Sequence, residues 1–239
     1  MDKIPVSLIV AMDTSTFGIG KEFLIPWKVP EDMKFFKKTT SDNENSVKNI
    51  LICGRNTFDS IGCGYLPNRH MIVVSPSYYN IPIIDLCIKF KKLSFRTINS
   101  KHVKFTENVH HCYDKPSEDL IYVVIVHSIN DIAGAILSIQ KDVCSNKQDI
   151  VVIGGSKIYS EFIRDNVPDL KLTKAIITRL DFKNYSKITD YDVFFDYKSL
   201  KNIMKVVKVD RVSVKGNLVE ILKRRTFFEK ILYRFKLIK

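Results

Sequence analysis

Apolar residues fall along this chain in short unbroken runs more often than in the alternation of a strand with one wet face. The β-branched-rich runs at 6–12, 50–53, 71–75, 121–126, 150–153 and 175–180 predict strands covered on both sides. Between them the apolar period lengthens to that of a helix, at 30–40, 56–61, 129–140 and 156–165. Strands alternating with helices predict an α/β domain with a central, mostly parallel sheet. Near the end, 204–214 and 218–222 flank Lys215-Gly216-Asn217, a turn that predicts an antiparallel hairpin closing the sheet. Residues 77–128 carry Pro82, Pro116, His110, His111 and scattered charges, and read as an irregular insertion at the sheet's edge. After 225 the pattern changes again. Phe227, Phe228, Ile231, Leu232 and Phe235 recur at helical spacing among Arg and Lys residues, so 226–239 reads as a basic amphipathic tail or linker. That helix either packs back on the domain or presents a surface to a partner.

With 239 residues, 45% hydrophobic and 27% charged, the chain has the composition of one large folding domain. The apolar runs are far too short to span a bilayer, and Asp2, Lys3 and Pro5 do not make a secretory leader. Five cysteines, with no CxxC pair, indicate neither a disulfide framework nor a thiolate zinc site, so a cytoplasmic location is expected. The net charge of +12 admits nucleic acid or an anionic membrane as partner. Its lysines are spread along the chain, however, and no RNA-stacking motif, zinc finger or arginine-rich arm accompanies them. A solvated basic surface is the leading account of the charge, beside anionic ligands and nucleic acid, and charge alone does not decide among them.

One acid stands out. Pro30 suits the first position of a helix, and around that helix Phe35 and Phe36 flank Asp32, while Glu31, Lys34, Lys37 and Lys38 take the far side. An ionised carboxylate on an apolar face requires a partner. The helix alone leaves two readings open: a cap or internal pair, or a carboxylate lining an apolar pocket that recognises a cationic or amidine-like heterocycle. Two strand ends also carry glycines directly before helices, at Gly54-Arg55-Asn56-Thr57 and Gly154-Gly155-Ser156-Lys157. Neither is a Rossmann or P-loop fingerprint. Together they suggest a shared polyanionic ligand held by helix-start N–H groups, with Arg55 and Lys157 beside it.

These residues resemble dihydrofolate reductase. The matching segments, in family order, are Leu8-Ile9-Val10-Ala11, Gly18-Ile19-Gly20 with Ile25-Pro26-Trp27, and Pro30-Glu31-Asp32-Met33-Lys34-Phe35-Phe36. They continue with Gly54 to Ile61, Leu66-Pro67-Asn68-Arg69, Ile153-Gly154-Gly155-Ser156-Lys157-Ile158-Tyr159, Ile177-Thr178 and Val219-Glu220-Ile221-Leu222. The resemblance implies a three-layer reductase domain over 1–225, reducing 7,8-dihydrofolate to tetrahydrofolate with NADPH. It makes Asp32 the acid that binds the pterin and favours protonation at N5, Thr178 its hydrogen-bonding partner and Trp27 the indole at the pocket floor. Ile9, Val10, Met33, Phe36, Ile61 and Leu66 match apolar positions around the substrate, and Arg69 matches the arginine that grips the glutamate carboxylate.

For the cofactor, the resemblance implies that Ala11, Ile19 and Gly20 flank the nicotinamide, with Tyr159 nearby. The helices that start after Gly54 and after Gly155 hold the pyrophosphate, and Gly54, Arg55, Asn56, Thr57, Ile153, Gly154, Gly155, Ser156, Lys157 and Ile158 count among the cofactor-binding residues. Arg55 and Ser75 meet the 2′-phosphate, and a cis peptide joins Gly154 to Gly155. Pro76 after Ser75 and the altered turn Gly62-Cys63-Gly64-Tyr65 depart from the family pattern. Adjacent His110, His111 and Cys112 are expected at the surface, and no metal is expected. Dihydrofolate and antifolate-type molecules are the implied ligands. The tail also suits a junction to a fused thymidylate synthase. An RNA-binding homologue and a pyrimidinone reductase are the competing readings; Asp32 with Phe35 and Phe36, plus Arg69, argues against the latter.

Overall fold

The computed structural model describes residues 2–41, 47–61, 66–80, 94–98, 102–106, 121–182, 190–211, 217–226, 229–230 and 233. Each apolar run forms a strand. β1 (Ile4–Asp13) is followed by the short β2 (Gly18–Gly20), then α1 (Pro30–Ser41), β3 (Asn49–Gly54), α2 (Arg55–Ser60) and β4 (Arg69–Val74). A one-turn helix α3 (Pro76–Tyr79) precedes a hairpin of β5 (Ser94–Ile98) and β6 (His102–Thr106), after which β7 (Val123–Val126) rejoins the sheet. A 3₁₀ turn, capped reciprocally by Ser128 and Asp131, leads into α4 (Ile132–Asp142). Next come β8 (Ile150–Gly154), α5 (Ser156–Ile163), β9 (Leu170–Leu180), β10 (Val193–Phe194), α6 (Tyr197–Ile203) and the closing pair β11 (Met204–Arg211) and β12 (Leu218–Arg224).

The ten-stranded sheet runs β11-β12-β9-β1-β8-β3-β4-β7-β6-β5. Its six central strands, β9 through β7, are parallel, and an antiparallel pair extends it at each edge. Because side chains alternate along a strand, each face of the sheet carries its own core. One joins α4, α5 and α6 to residues such as Val10, Ile52 and Val152. The other joins α1, α2 and α3 to Ile9, Leu51 and Ile153. This is the expected three-layer arrangement. β8 inserts between β1 and β3, so the carboxyl ends of those three strands meet where the strand order reverses, the usual place for a crevice.

Within the stretch at 77–128 that reads as irregular, the described residues form regular elements. The stretch holds most of α3, the edge hairpin β5–β6 and the buried core strand β7. His110, His111 and Cys112 lie outside the described residues, as do Gly62 to Tyr65 and the apolar residues of the tail. Of the tail, Thr226 and Glu229 form a capping box: the Thr226 N–H donates to Glu229 Oε2 at 2.8 Å and the Glu229 N–H donates back to Thr226 Oγ1 at 3.3 Å. Glu229 pairs with Lys205 of β11, and Arg225 stacks on Tyr233 at 4.0 Å. Thus the start of this helix is tied back to the domain.

Candidate active site

Pro30 does open α1, and Asp32 in its first turn is only 8% exposed. The carboxylate accepts a hydrogen bond from the hydroxyl of Thr178, a buried residue of β9. Burial pushes the Asp32 carboxyl above its ordinary value, and the Thr178 bond pulls the other way without cancelling it. Glu31 and Lys34 are exposed on the opposite side. Phe35, Phe36, Ile61 and Leu66 are half-buried and pack against the core cluster that contains Ile9. Among the described residues, the acid is therefore neither solvated nor paired with a base.

Strand parity corrects part of the expected lining. Ile9 lies in the core on the α1 side, whereas Val10 lies in the core on the α4–α6 side, so its side chain belongs to the layer away from Asp32. Ala11 pairs in register with Thr178 and packs with Trp27 against Val29, Leu180 and Phe182. Met33 is 54% exposed and makes no part of either core. Arg69 is only 3% exposed, although arginine is rarely buried. Its Nε donates to the Pro67 carbonyl at 2.9 Å and its Nη1 to Thr40 Oγ1 at 2.8 Å, which orients the guanidinium against the end of α1. Thr40 carried no signal in the sequence that would have singled it out.

At the crevice, the ends of β3 and β8 approach so closely that side chains would obstruct them. The Gly154–Gly155 peptide is cis, and Gly154 has φ +129°, a conformation that favours glycine. A Cβ on either glycine would stand 3.2 Å from Thr57 Oγ1, and one on Gly54 would stand 3.2 Å from Ile158 Cγ1. Ile158 therefore supports Gly54 from the core and does not face the crevice. The first turn of α5 has no side-chain cap. Ser156 gives its hydroxyl to the Phe194 carbonyl at 2.7 Å, while Arg55, Asn56 and Lys157 are exposed. Tyr159 is buried and donates to the Ile9 carbonyl at 2.7 Å. Burial, then the nearby Cys53 and Asp32, raises its pKa, so the cofactor-side tyrosine and the acid share one electrostatic environment.

The loop from β2 to α1 is held from across the crevice mouth. Gly20 offers its carbonyl to the Asp192 N–H at 3.2 Å, and Ile19 packs on the α4–α6 side. A second correction concerns Ser75, which is 1% exposed and accepts from the Tyr78 N–H at 3.1 Å as the cap of α3. The exposed hydroxyl that Arg55 reaches is Ser77, at 3.1 Å. Ser-Pro-x-x is a helix-start signature, and it would have assigned Ser75 to the cap.

The profile of the family described as dihydrofolate reductase matches residues 5–106. The dihydrofolate reductase of Buchnera aphidicola subsp. Schizaphis graminum is 30% identical over 197 residues, 82% of this chain and 82% of its own length. This chain belongs to the dihydrofolate reductase family. Family membership extends to fused proteins: the bifunctional dihydrofolate reductase-thymidylate synthase of Daucus carota is 24% identical over 220 residues, 89% of this chain but 35% of that protein. In solved structures, dihydrofolate reductase from Enterococcus faecalis, complexed with NADP(H) and RAB-propyl, shares the fold. Its TM-score is 0.52 at 22% identity, covering 93% of this chain and 97% of that one. Among the described residues, no helix is long and apolar enough to cross a membrane, and no group of three His, Cys, Asp or Glu residues is placed to hold a metal.

Proposed function

We propose that this chain reduces 7,8-dihydrofolate to 5,6,7,8-tetrahydrofolate with NADPH, in the crevice between α1 and the carboxyl ends of β1, β3 and β8. The observation that carries this reading is the Asp32 carboxylate, buried on an apolar helix face with a threonine hydroxyl as its partner. Such a group recognises a flat ring that presents an amino group and a ring N–H side by side, and its elevated affinity for protons favours protonation at N5. Antifolate-type rings that present an amidine bind the same carboxylate. Trp27, with Ala11, walls the pocket beside Thr178 and limits water there. Ile9, Phe36, Ile61 and Leu66 line it with apolar surface, and Met33 joins them at the mouth when substrate covers it. Arg69, pre-oriented by Thr40 and Pro67, presents its remaining guanidinium edge to a carboxylate.

The residues present fit NADPH. Gly54, Gly154 and Gly155 let the ends of β3 and β8 close up, since a Cβ on any of them would crowd Ile158 or Thr57, and the N–H groups that start α5 without a side-chain cap would meet an anion there. When bound, NADPH supplies the hydride. Arg55 and Lys157 would balance its phosphates, Asn56 and Thr57 would donate hydrogen bonds to them, and Arg55 with Ser77 would take the 2′-phosphate. Ile19, Gly20 and Tyr159 would border the nicotinamide. The domain over 1–225 carries all of these groups, and the tail from 226 begins outside the crevice. The test is loss of NADPH absorbance with dihydrofolate and purified protein. Turnover is expected with NADPH and much weaker turnover with NADH; folded protein that leaves NADPH unoxidised refutes the reading.

A further inference from the structure

Tyr191, just before β10, makes three contacts that converge on the crevice wall. It is buried, and its hydroxyl donates to Asp13 Oδ2 at 2.9 Å. Asp13 ends β1 and is itself only 4% exposed. Its other oxygen accepts from the Ser15 N–H and hydroxyl, both at 2.6 Å, and from the Thr16 N–H at 3.2 Å, while Tyr191 is the donor to Oδ2 among the described residues. The ring lies flat across Gly18 of β2, where a Cβ would come within 2.2 Å of the Tyr191 Cγ atom. Any other residue at 18 would displace the ring. The ring edge meets Trp27 with centroids 6.1 Å apart at 67°, and Phe182 supports the indole from elsewhere at 5.3 Å. Burial, and then the bond to Asp13, raises the tyrosine pKa, so the hydroxyl remains a donor across the working pH range.

We propose that Tyr191 is a positioning residue: by joining Asp13, Gly18 and Trp27 it fixes the indole on the Val29, Leu180 and Phe182 cluster that Ala11 shares, and so shapes the pocket wall beside Asp32 and Thr178. This rests on the reductase reading. The ring and the hydroxyl have separable tasks. The ring determines where Trp27 stands; the hydroxyl satisfies a buried carboxylate and fastens β10 to the end of β1. Nearby ties on Asp190 and Asp192 hold Lys21 and Glu22, beyond Gly20, and leave the indole untouched. Displacing the ring therefore loosens Trp27 without unfastening the loop or the glycine cradle.

Trp27 is the single tryptophan of the chain, so its fluorescence reports this contact directly. In Tyr191→Leu, acrylamide quenching of Trp27 is expected to rise about twofold and the hydride-transfer rate at saturating substrate to fall about tenfold, with the NADPH dissociation constant changed by less than about twofold. Tyr191→Phe keeps the ring and is expected to retain wild-type quenching and rate while lowering Tm. Gly18→Ala pushes the ring aside without deleting it and is expected to reproduce the leucine variant; it decides the matter if Tyr191→Leu does not fold. An active wild type whose Gly18→Ala and Tyr191→Leu variants match it in quenching and rate overturns the proposal. A slower rate with unchanged quenching also overturns it, because the route through Trp27 is then wrong. A wild type that leaves NADPH unoxidised sinks the underlying reductase reading, a result separable from the first two.

Discussion

Asp32 sets stability against activity within one side chain. Burial raises its carboxyl above the ordinary 3.8, so between that value and the native one the folded state binds more protons than the unfolded state. Stability therefore falls as pH rises through this window and stays lower above it. Asp32→Asn removes the buried charge but can still accept from Thr178. The variant is expected to melt at a higher temperature than wild type at neutral pH, with the difference closing below 3.8, while turnover at neutral pH drops about a hundredfold. Melting curves and initial rates across pH check both, and turnover recovers partly at low pH, where the substrate protonates in solution. A variant that is equally active removes Asp32 from its assigned role. The sequence exposed this acid because a charge between Phe35 and Phe36 contradicts the helix around it. Val10 and Ser75 lie elsewhere than the resemblance implies, for reasons just as local. Strand parity sends Val10 to the opposite layer, and the Ser-Pro pair commits Ser75 to a helix cap. Tyr191 had no such sign, since its importance lies in residues 178 and 164 positions away, Asp13 and Trp27.

Elements buried on both faces were the legible ones. β3, β4, β7 and β8 are covered above and below, and each announced itself as an apolar run. β2, β10 and α6 escaped notice because two or three residues of strand, or two turns of helix, leave no period to read. The hairpin β5–β6 forms the edge of the sheet beside β7. One cross-element bond makes a titration of the fold itself. His70 of β4 is buried, and its Nδ1 accepts the Tyr122 N–H at 3.1 Å, fixing the approach to β7. Burial, and then Lys48, pushes its pKa down to about 3 from 6.5. Between those values the unfolded chain takes up the proton that the folded one refuses, so stability is present above pH 6.5 and lost as pH falls. The loss is expected to reach about 2 kcal/mol at about pH 5. His70→Asn keeps an acceptor for the Tyr122 N–H but loses the ring contact at 5.3 Å, so it is expected to be less stable at neutral pH and to decline less steeply below it. Denaturant midpoints at several pH values measure this; parallel declines would assign the acid sensitivity to other groups.

At the scale of the whole molecule, the net charge of +12 is spread along the chain, and both proposed ligands are anions. Dihydrofolate carries carboxylates and NADPH carries more charge in its phosphates, and Arg55 and Lys157 stand exposed where those phosphates would approach. Long-range attraction of this kind raises encounter rates, is screened by salt over about 10 Å at 0.1 M, and leaves chemistry inside a closed pocket alone. Added sodium chloride is therefore expected to lower kcat/KM for both ligands with kcat nearly constant, the fall from low salt to about 0.5 M being about threefold for dihydrofolate and steeper for NADPH. Steady-state rates at matched viscosity separate screening from crowding. Equal slopes for the two ligands would mean that the lysines act as a uniform solvated coat. A steeper NADPH slope that flattens in Arg55→Gln and Lys157→Gln would mean that the two cations beside the glycine cradle focus the field, so that the same geometry that holds the phosphates also draws them in.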